Sequence, residues 1–243
     1  CTDAHFPTEL FRDLFAFFEQ YNFTIDENDP DDAQVGVDPE MLGRIFESLL
    51  EDNKEKGAFY TPKEIVQYMC RRSLTAYLQT DVPKEKEKMR QAIDCFVRTK
   101  DYNELRLKLP PSLREQVAER LRMVKICDPA IGSGAFPMGL LRELYLCRIA
   151  LEDGVRENRA KSHAEIKKEI LRQNIYGVDL DRGAVDIARL RFWLSLVVDE
   201  DVPQPLPNLD YKIMQGNSLL ERYKDIDLST LASQKTDGRL FFI

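Results

Sequence analysis

The chain has 243 residues, 43% of them hydrophobic and 32% charged, which is enough to bury a core as one large or two small domains and too apolar for a disordered chain. Its 35 basic and 42 acidic residues leave a net charge of -7, the wrong sign for a chain that wraps nucleic acid by itself. No apolar run approaches the roughly 20 residues that span a bilayer, the five cysteines form no C-x-x-C pair, and His5 and His163 are the only histidines. These features argue against membrane insertion, export, His-based zinc sites and Ser-His-Asp hydrolysis, and for a cytoplasmic protein with reduced thiols.

From Phe6 to Tyr21, Leu10, Phe11, Leu14, Phe15, Phe17 and Phe18 recur at helical spacing, with Thr8 as cap. Asn28 to Asp38 reads as a loop, and Asp38-Pro39 opens a helix to about Asp52 with Leu42, Ile45, Phe46 and Leu49 inward. Thr61-Pro62-Lys63-Glu64 has the form of a capping box with proline at the first helical position, followed by Ile65, Met69, Leu74 and Leu78, so a helix starts there. Residues 81–122 read as two or three helices interrupted at Pro110-Pro111.

The pattern changes at Met123. Met123 to Cys127 is a short apolar run that reads as a strand, followed by a glycine-rich turn and a helix from Ala135 to Leu151. A Ser162-x-x-Glu165 box opens another helix, Asn174 to Asp179 a second strand, and Arg182 to Val198 a helix with Val185, Ala188, Phe192, Trp193 and Leu196 inward. Tyr211 to Gln215 gives a third strand and Arg239 to Ile243 the beginning of a fourth. The expected fold is α/β: a helical N-terminal region over 1–122, then a partial Rossmann-like sheet over 123–243.

Three segments carry chemistry. In Asp128-Pro129-Ala130-Ile131-Gly132-Ser133-Gly134-Ala135-Phe136, the two glycines allow a tight turn and close approach to a ligand at a helix N-terminus. Pro137 stands where a dinucleotide fingerprint needs its third glycine, and no Gly-Lys-Ser/Thr occurs. The acid at the strand tip would repel a pyrophosphate and attract a cationic or hydroxyl-bearing ligand. In Gly177-Val178-Asp179-Leu180-Asp181, Asp179 is placed to accept from ribose hydroxyls with Leu180 against an adenine ring, while Asp181 caps the next helix. Asn217, after the third strand, could bond an adenine edge; alone this segment reads as an ordinary loop.

Together with Gly57-Ala58-Phe59-Tyr60-Thr61-Pro62 and Gly216-Asn217-Ser218-Leu219, these segments resemble, in order, motifs X, I, II and III of the gamma class of S-adenosylmethionine-dependent adenine DNA methyltransferases. Among these, the chain is most similar to type IIG enzymes and to type I modification subunits of restriction-modification systems, and Val37 to Glu47 is similar to their helical lead-in. The resemblance implies that Tyr60, Thr61 and Pro62 hold the methionine carboxylate, and that Asp128, Pro129, Ala130, Gly132, Gly134 and Phe136 form the loop around its cationic amino end. It implies that Asp179 takes the ribose, Leu180 the adenine face, and Asn217 with Ser218 the adenine edge. Ile131 departs from the family's small residue or Cys, and Asn217 from its usual Asp; at Thr61 the simpler reading is a helix cap.

The family's catalytic Asn/Asp-Pro-Pro-Tyr/Phe tetrapeptide does not occur in the sequence. With no initial methionine and an apolar last four residues, the chain reads as cut at both ends and stopping short of that motif, so it is expected to bind S-adenosylmethionine weakly and transfer nothing. Double-stranded DNA would be met by parts of the protein beyond this chain, and an open fourth strand suggests self-association. A methyltransferase for protein or small molecules, or a structural module whose turn binds nothing, are the rival readings.

Overall fold

The computed structural model describes residues 7–18, 61–155, 163–197 and 208–220, and the strand residues 222–223, 226–227 and 240–242. The expected helix over 38–52, its apolar stripe, Ser162 and Tyr60 lie outside the described residues.

Among the described residues, five helices precede the sheet: α1 (Thr8–Phe18), α2 (Lys63–Leu78), α3 (Glu87–Thr99), α4 (Tyr102–Lys108) and α5 (Pro111–Met123). The start of α2 differs from the capping-box expectation. Pro62 is itself the N-cap, its carbonyl accepting from Val66 N–H at 3.1 Å, and no side chain caps the helix. Proline cannot donate, so using it as the cap residue leaves no N–H unsatisfied there. Of the apolar residues named for this helix, Leu74 and Leu78 are buried, but the phase is one position out in the first turns: Val66 and Cys70 face inward, with Tyr77 after them, whereas Ile65 and Met69 are 49% and 39% exposed.

Gly139 explains that phase. A Cβ there would lie 2.7 Å from Val66 Cγ1 and 2.9 Å from Cys70 Sγ, so α2 approaches the following helix, α6 (Ala135–Val155), closely enough to need the missing side chain. The Cys70 thiol donates to the Phe136 carbonyl at 3.6 Å, and burial with the nearby Glu143 charge pushes that thiol up to about 12.

The sheet runs β3-β2-β1-β6, all parallel, with β1 (Lys125–Asp128), β2 (Ile175–Asp179), β3 (Ile213–Gln215) and β6 (Leu240–Phe242). Between them lie α7 (His163–Gln173) and α8 (Arg182–Val197). The first strand begins two residues later than the apolar run suggested, because Met123 closes α5 and Val124 turns the chain. Likewise Tyr211 and Lys212 belong to a turn that precedes β3. Two further two-residue strands, β4 (Arg222–Tyr223) and β5 (Ile226–Asp227), pair antiparallel. Trp193 is half-buried, while Val185, Ala188, Phe192 and Leu196 are inward as expected.

One apolar core joins the helices to the sheet, from Val66, Leu74 and Phe96 through Leu121 and Leu144 to Ile126, Ile175, Phe192 and Ile213. Two buried polar devices fix its layers. Asn174 Nδ2 donates to the carbonyls of Arg122 (2.8 Å) and Val124 (2.7 Å), tying the approach to β1 to that of β2. Glu143, with a side chain 1% exposed, accepts from Arg71 Nε at 2.9 Å and from Lys100 Nζ, so one carboxylate on α6 holds both α2 and the end of α3. Lys100 adopts the left-handed conformation, φ 61°, at a cost that its tethered side chain offsets.

Among the described residues no helix is long and apolar enough to cross a membrane. Removing the Glu143 carboxylate takes the shared partner from two part-buried cations and leaves a gap in the core: Glu143→Ala is expected to destabilise the fold by about 2 kcal/mol. Urea unfolding followed by circular dichroism checks this, and an unchanged midpoint would contradict it.

Candidate functional site

The three candidate segments sit side by side at the carboxyl ends of β1, β2 and β3, because parallel pairing sets Asp128 opposite Gly177 and Asp179 opposite Gln215. This edge is where open α/β sheets place their ligands.

After β1 the chain turns on itself. Asp128 Oδ1 accepts from Ala130 N–H at 3.0 Å, and Gly132 and Gly134 have φ of 52° and 88°. The two glycines serve different needs. At Gly134 a Cβ would come to 3.3 Å from that of Ala188, so its bareness seats the loop on α8; at Gly132 a Cβ would meet nothing within 4 Å. Gly132 therefore supplies a backbone bend beside open space, the arrangement a ligand needs to approach the main chain.

Asp179 laces this loop to β2. Its Oδ2 accepts from Gly132 N–H at 2.8 Å and its Oδ1 from Asp181 N–H at 2.9 Å. Asp181 in turn caps α8, its Oδ1 accepting from Ala184 N–H at 3.0 Å. Leu180, between them, is 69% exposed. From the β3 side, Gln215 Nε2 donates to the Leu180 carbonyl at 3.1 Å and Ser218 Oγ to the Pro129 carbonyl at 2.8 Å. Asn217 is exposed and its Oδ1 accepts from Leu219 N–H at 3.0 Å, forming a turn. All three segments thus meet along one edge.

The remaining candidates have plainer positions. Pro129 is half-buried and Ala130 exposed. Phe136 packs partly buried against the core. Thr61 is half-buried just ahead of α2, and Pro62 is exposed.

The electrostatics are unusual for a loop. Asp128 is only 6% exposed, and burial raises its pKa, with Asp179 adding to the rise and the Ala130 N–H opposing it. The neighbouring Cys127 thiol is raised as well, by burial and by the Asp128 charge. A buried carboxylate of this kind favours a cationic partner. Two surface clefts, lined by Lys100, Tyr102 and Arg106 and by Arg114, Glu119 and Glu152, lie on the α4–α6 side away from these strand ends.

Ile131 resolves one departure noted in the sequence. It is buried, its N–H donates to Val178 O at 3.0 Å, and its side chain lies on Gly177, where a Cβ would be 2.3 Å from Ile131 Cδ1. Its bulk fills the core under the loop. Residues that sequence reasoning did not single out also shape the site: Arg191 bonds Ser133, and Arg189 Nε and Nη2 bond the Ile213 carbonyl at 3.0 and 2.6 Å. Arginines on a helix read as solvated in a sequence; only the long-range partner reveals them.

The family model described as MmeI, DNA-methyltransferase domain, matches residues 104–226. The chain is 31% identical over 244 residues to a protein of Methanocaldococcus jannaschii named as a type II restriction enzyme and methyltransferase, covering 92% of this chain and 20% of that protein. It is 30% identical over 151 residues to the adenine-specific methyltransferase BrxX of Escherichia coli O9:H4 (strain HS), covering 61% of this chain and 11% of that protein. Among solved structures, the type IIL restriction-modification enzyme MmeI in complex with DNA is similar in fold, with a TM-score of 0.50 at 18% identity over 83% of this chain and 25% of that one. The chain therefore spans a quarter or less of each of these proteins.

The Ile131–Gly177 contact is open to test. Gly177→Ala is expected to cost about 1–3 kcal/mol by overpacking, and Ile131→Val, which removes Cδ1, to restore much of it in the double variant. Additive losses in a thermal-melt cycle would contradict the contact.

Proposed function

The chain belongs to the MmeI DNA-methyltransferase domain family of restriction-modification methyltransferases, and from that premise we propose that its strand-end site binds S-adenosylmethionine for methylation of adenine in DNA. The observation that carries the cofactor reading is the buried Asp128 behind the open bend at Gly132. A cationic ammonium fits a carboxylate that burial disfavours, whereas a pyrophosphate would be repelled.

Each candidate residue has a task in this reading. Asp128 keeps its Oδ1 on Ala130 and offers its second oxygen to the methionine amino group. Each Asp179 oxygen accepts one backbone N–H, leaving a lone pair on each for neighbouring ribose hydroxyls. Leu180 lies exposed for the adenine face, with Asn217 and Ser218 at the ring edge and Thr61 toward the carboxylate end. No side chain caps α2 at Pro62, so the cap reading of Thr61 loses its ground.

When bound, S-adenosylmethionine supplies a methyl group on a positively charged sulfur. The chain's own contribution is to hold that group in place and to present the Asp128 carboxylate to the amino end of the ligand. The adenine target rests on the four motif-like segments and on a relative named adenine-specific. Residues 1–243 contain no Asn/Asp-Pro-Pro-Tyr/Phe tetrapeptide, so methyl transfer and DNA contact belong to the whole protein.

Calorimetry on the 243-residue chain should show S-adenosylmethionine binding that Asp179→Ala abolishes, while a radiolabel assay detects no methyl transfer to DNA. Absence of binding heat in the parent protein would overturn the cofactor reading. The charge on Asp128 gives a pH signature. Protonation removes the partner of the ammonium group, so affinity should fall as pH drops through the raised Asp128 pKa. Asp128→Asn should bind weakly with no such dependence. The same raised pKa means that the ionised form costs stability, a cost that grows as pH rises from the ordinary carboxyl range toward the raised value and is complete above it. Asp128→Asn is therefore expected to raise the ligand-free melting temperature at neutral pH, and a lower one would contradict this assignment.

A further inference from the structure

Ser133, between the two left-handed glycines, is 5% exposed, and beneath it lies Arg191 of α8, 4% exposed. Arg191 Nη1 donates to the Ser133 carbonyl at 2.8 Å and to its Oγ at 3.2 Å. One helical turn earlier on the same face, Ala188 receives the bare Gly134 at 3.3 Å. The loop is thus seated on α8 at two points, one apolar and one charged. A guanidinium buried in a protein interior is costly unless it is hydrogen-bonded, and here Nη1 bonds twice to a bend whose outer side faces the candidate ligand.

We propose that Arg191 is a positioning residue for cofactor binding: it fixes the Gly132–Gly134 bend in its ligand-ready form before the ligand arrives. This rests on the S-adenosylmethionine reading given above. A buried carbonyl flanked by two glycines has no side-chain sterics to hold it and would turn toward water if its donor were removed. The bend would then sample other conformations, and the Gly132 N–H would be carried off Asp179, disturbing both halves of the site at once.

The test measures S-adenosylmethionine affinity of the 243-residue chain by calorimetry, with melting temperature recorded in parallel. Arg191→Met should weaken binding by about tenfold or more, as expected for a lost charged hydrogen bond. Arg191→Lys, which can reach the carbonyl with one donor, should recover part of that loss. Asn174→Ala serves as the comparator, since it removes buried hydrogen bonds remote from the bend and should lower the melting temperature with affinity intact. If Arg191→Met does not fold, Arg191→Lys decides: an affinity equal to that of the parent overturns the proposal. Equal affinity in a folded Arg191→Met does so too, as does an Asn174→Ala variant that loses affinity in proportion to its melting temperature. Failure of the parent protein to bind would instead sink the cofactor reading itself.

Discussion

The site depends on one carboxylate, that of Asp179. By accepting the N–H of Gly132 and that of Asp181 with its two oxygens, it joins the turn after β1 to the turn after β2 and fixes where α8 begins. Parallel pairing brings the strand ends into register, but it does not decide the shape of the turns beyond them. That shape comes from hydrogen bonds between an acid and main-chain amides, each strengthened by the charge on the acceptor. An acid in this position does double service, as strut and as a residual acceptor facing outward.

Behind this edge the helices form a second layer whose alignment is ionic as well as apolar. Glu143 reaches Arg71 on α2 and Lys100 past the end of α3, and Arg148 reaches Glu169 on α7 at 2.6 Å. Thus α6, whose N-terminus the glycine bend opens, is held by partners on α2, on α7 and just past the end of α3. A helix so constrained cannot easily rotate, and the bend at its head inherits that fixity. Arg191 acts from the opposite side through α8. The loop is caught between two helices that are each anchored elsewhere.

Much of this was legible in the sequence, for physical reasons. Gly-rich turns after short apolar runs mark strand ends, and the order of strands and helices from Met123 onward survives in the structure. Boundaries were less legible, since Met123 continues an apolar run yet closes α5, and the Thr61–Glu64 box met a proline that took the cap for itself. Only the first turns of α2 were out of phase, because Gly139, 73 positions after Val66 in the numbering, decides which residues pack there. Buried charge was not legible at all. Glu143, Arg191 and Lys167 look like solvent-facing residues until partners more than twenty positions away are in place. The strands β4 and β5, two residues each, are too short for any alternation to show. Within the site, Asp128, Asp179 and the glycines stood out, whereas the loop tie from Ser218 to Pro129 joins segments with no common pattern.

The contact between Ile131 and Gly177 ties two positions together by volume. The isoleucine occupies space that exists only because residue 177 has no side chain. Any side chain at 177 would meet Cδ1, so a larger residue there is accommodated best beside a smaller one at 131. The loop after β1 and the middle of β2 therefore share one fixed allotment of space, and what one position gains the other must give up.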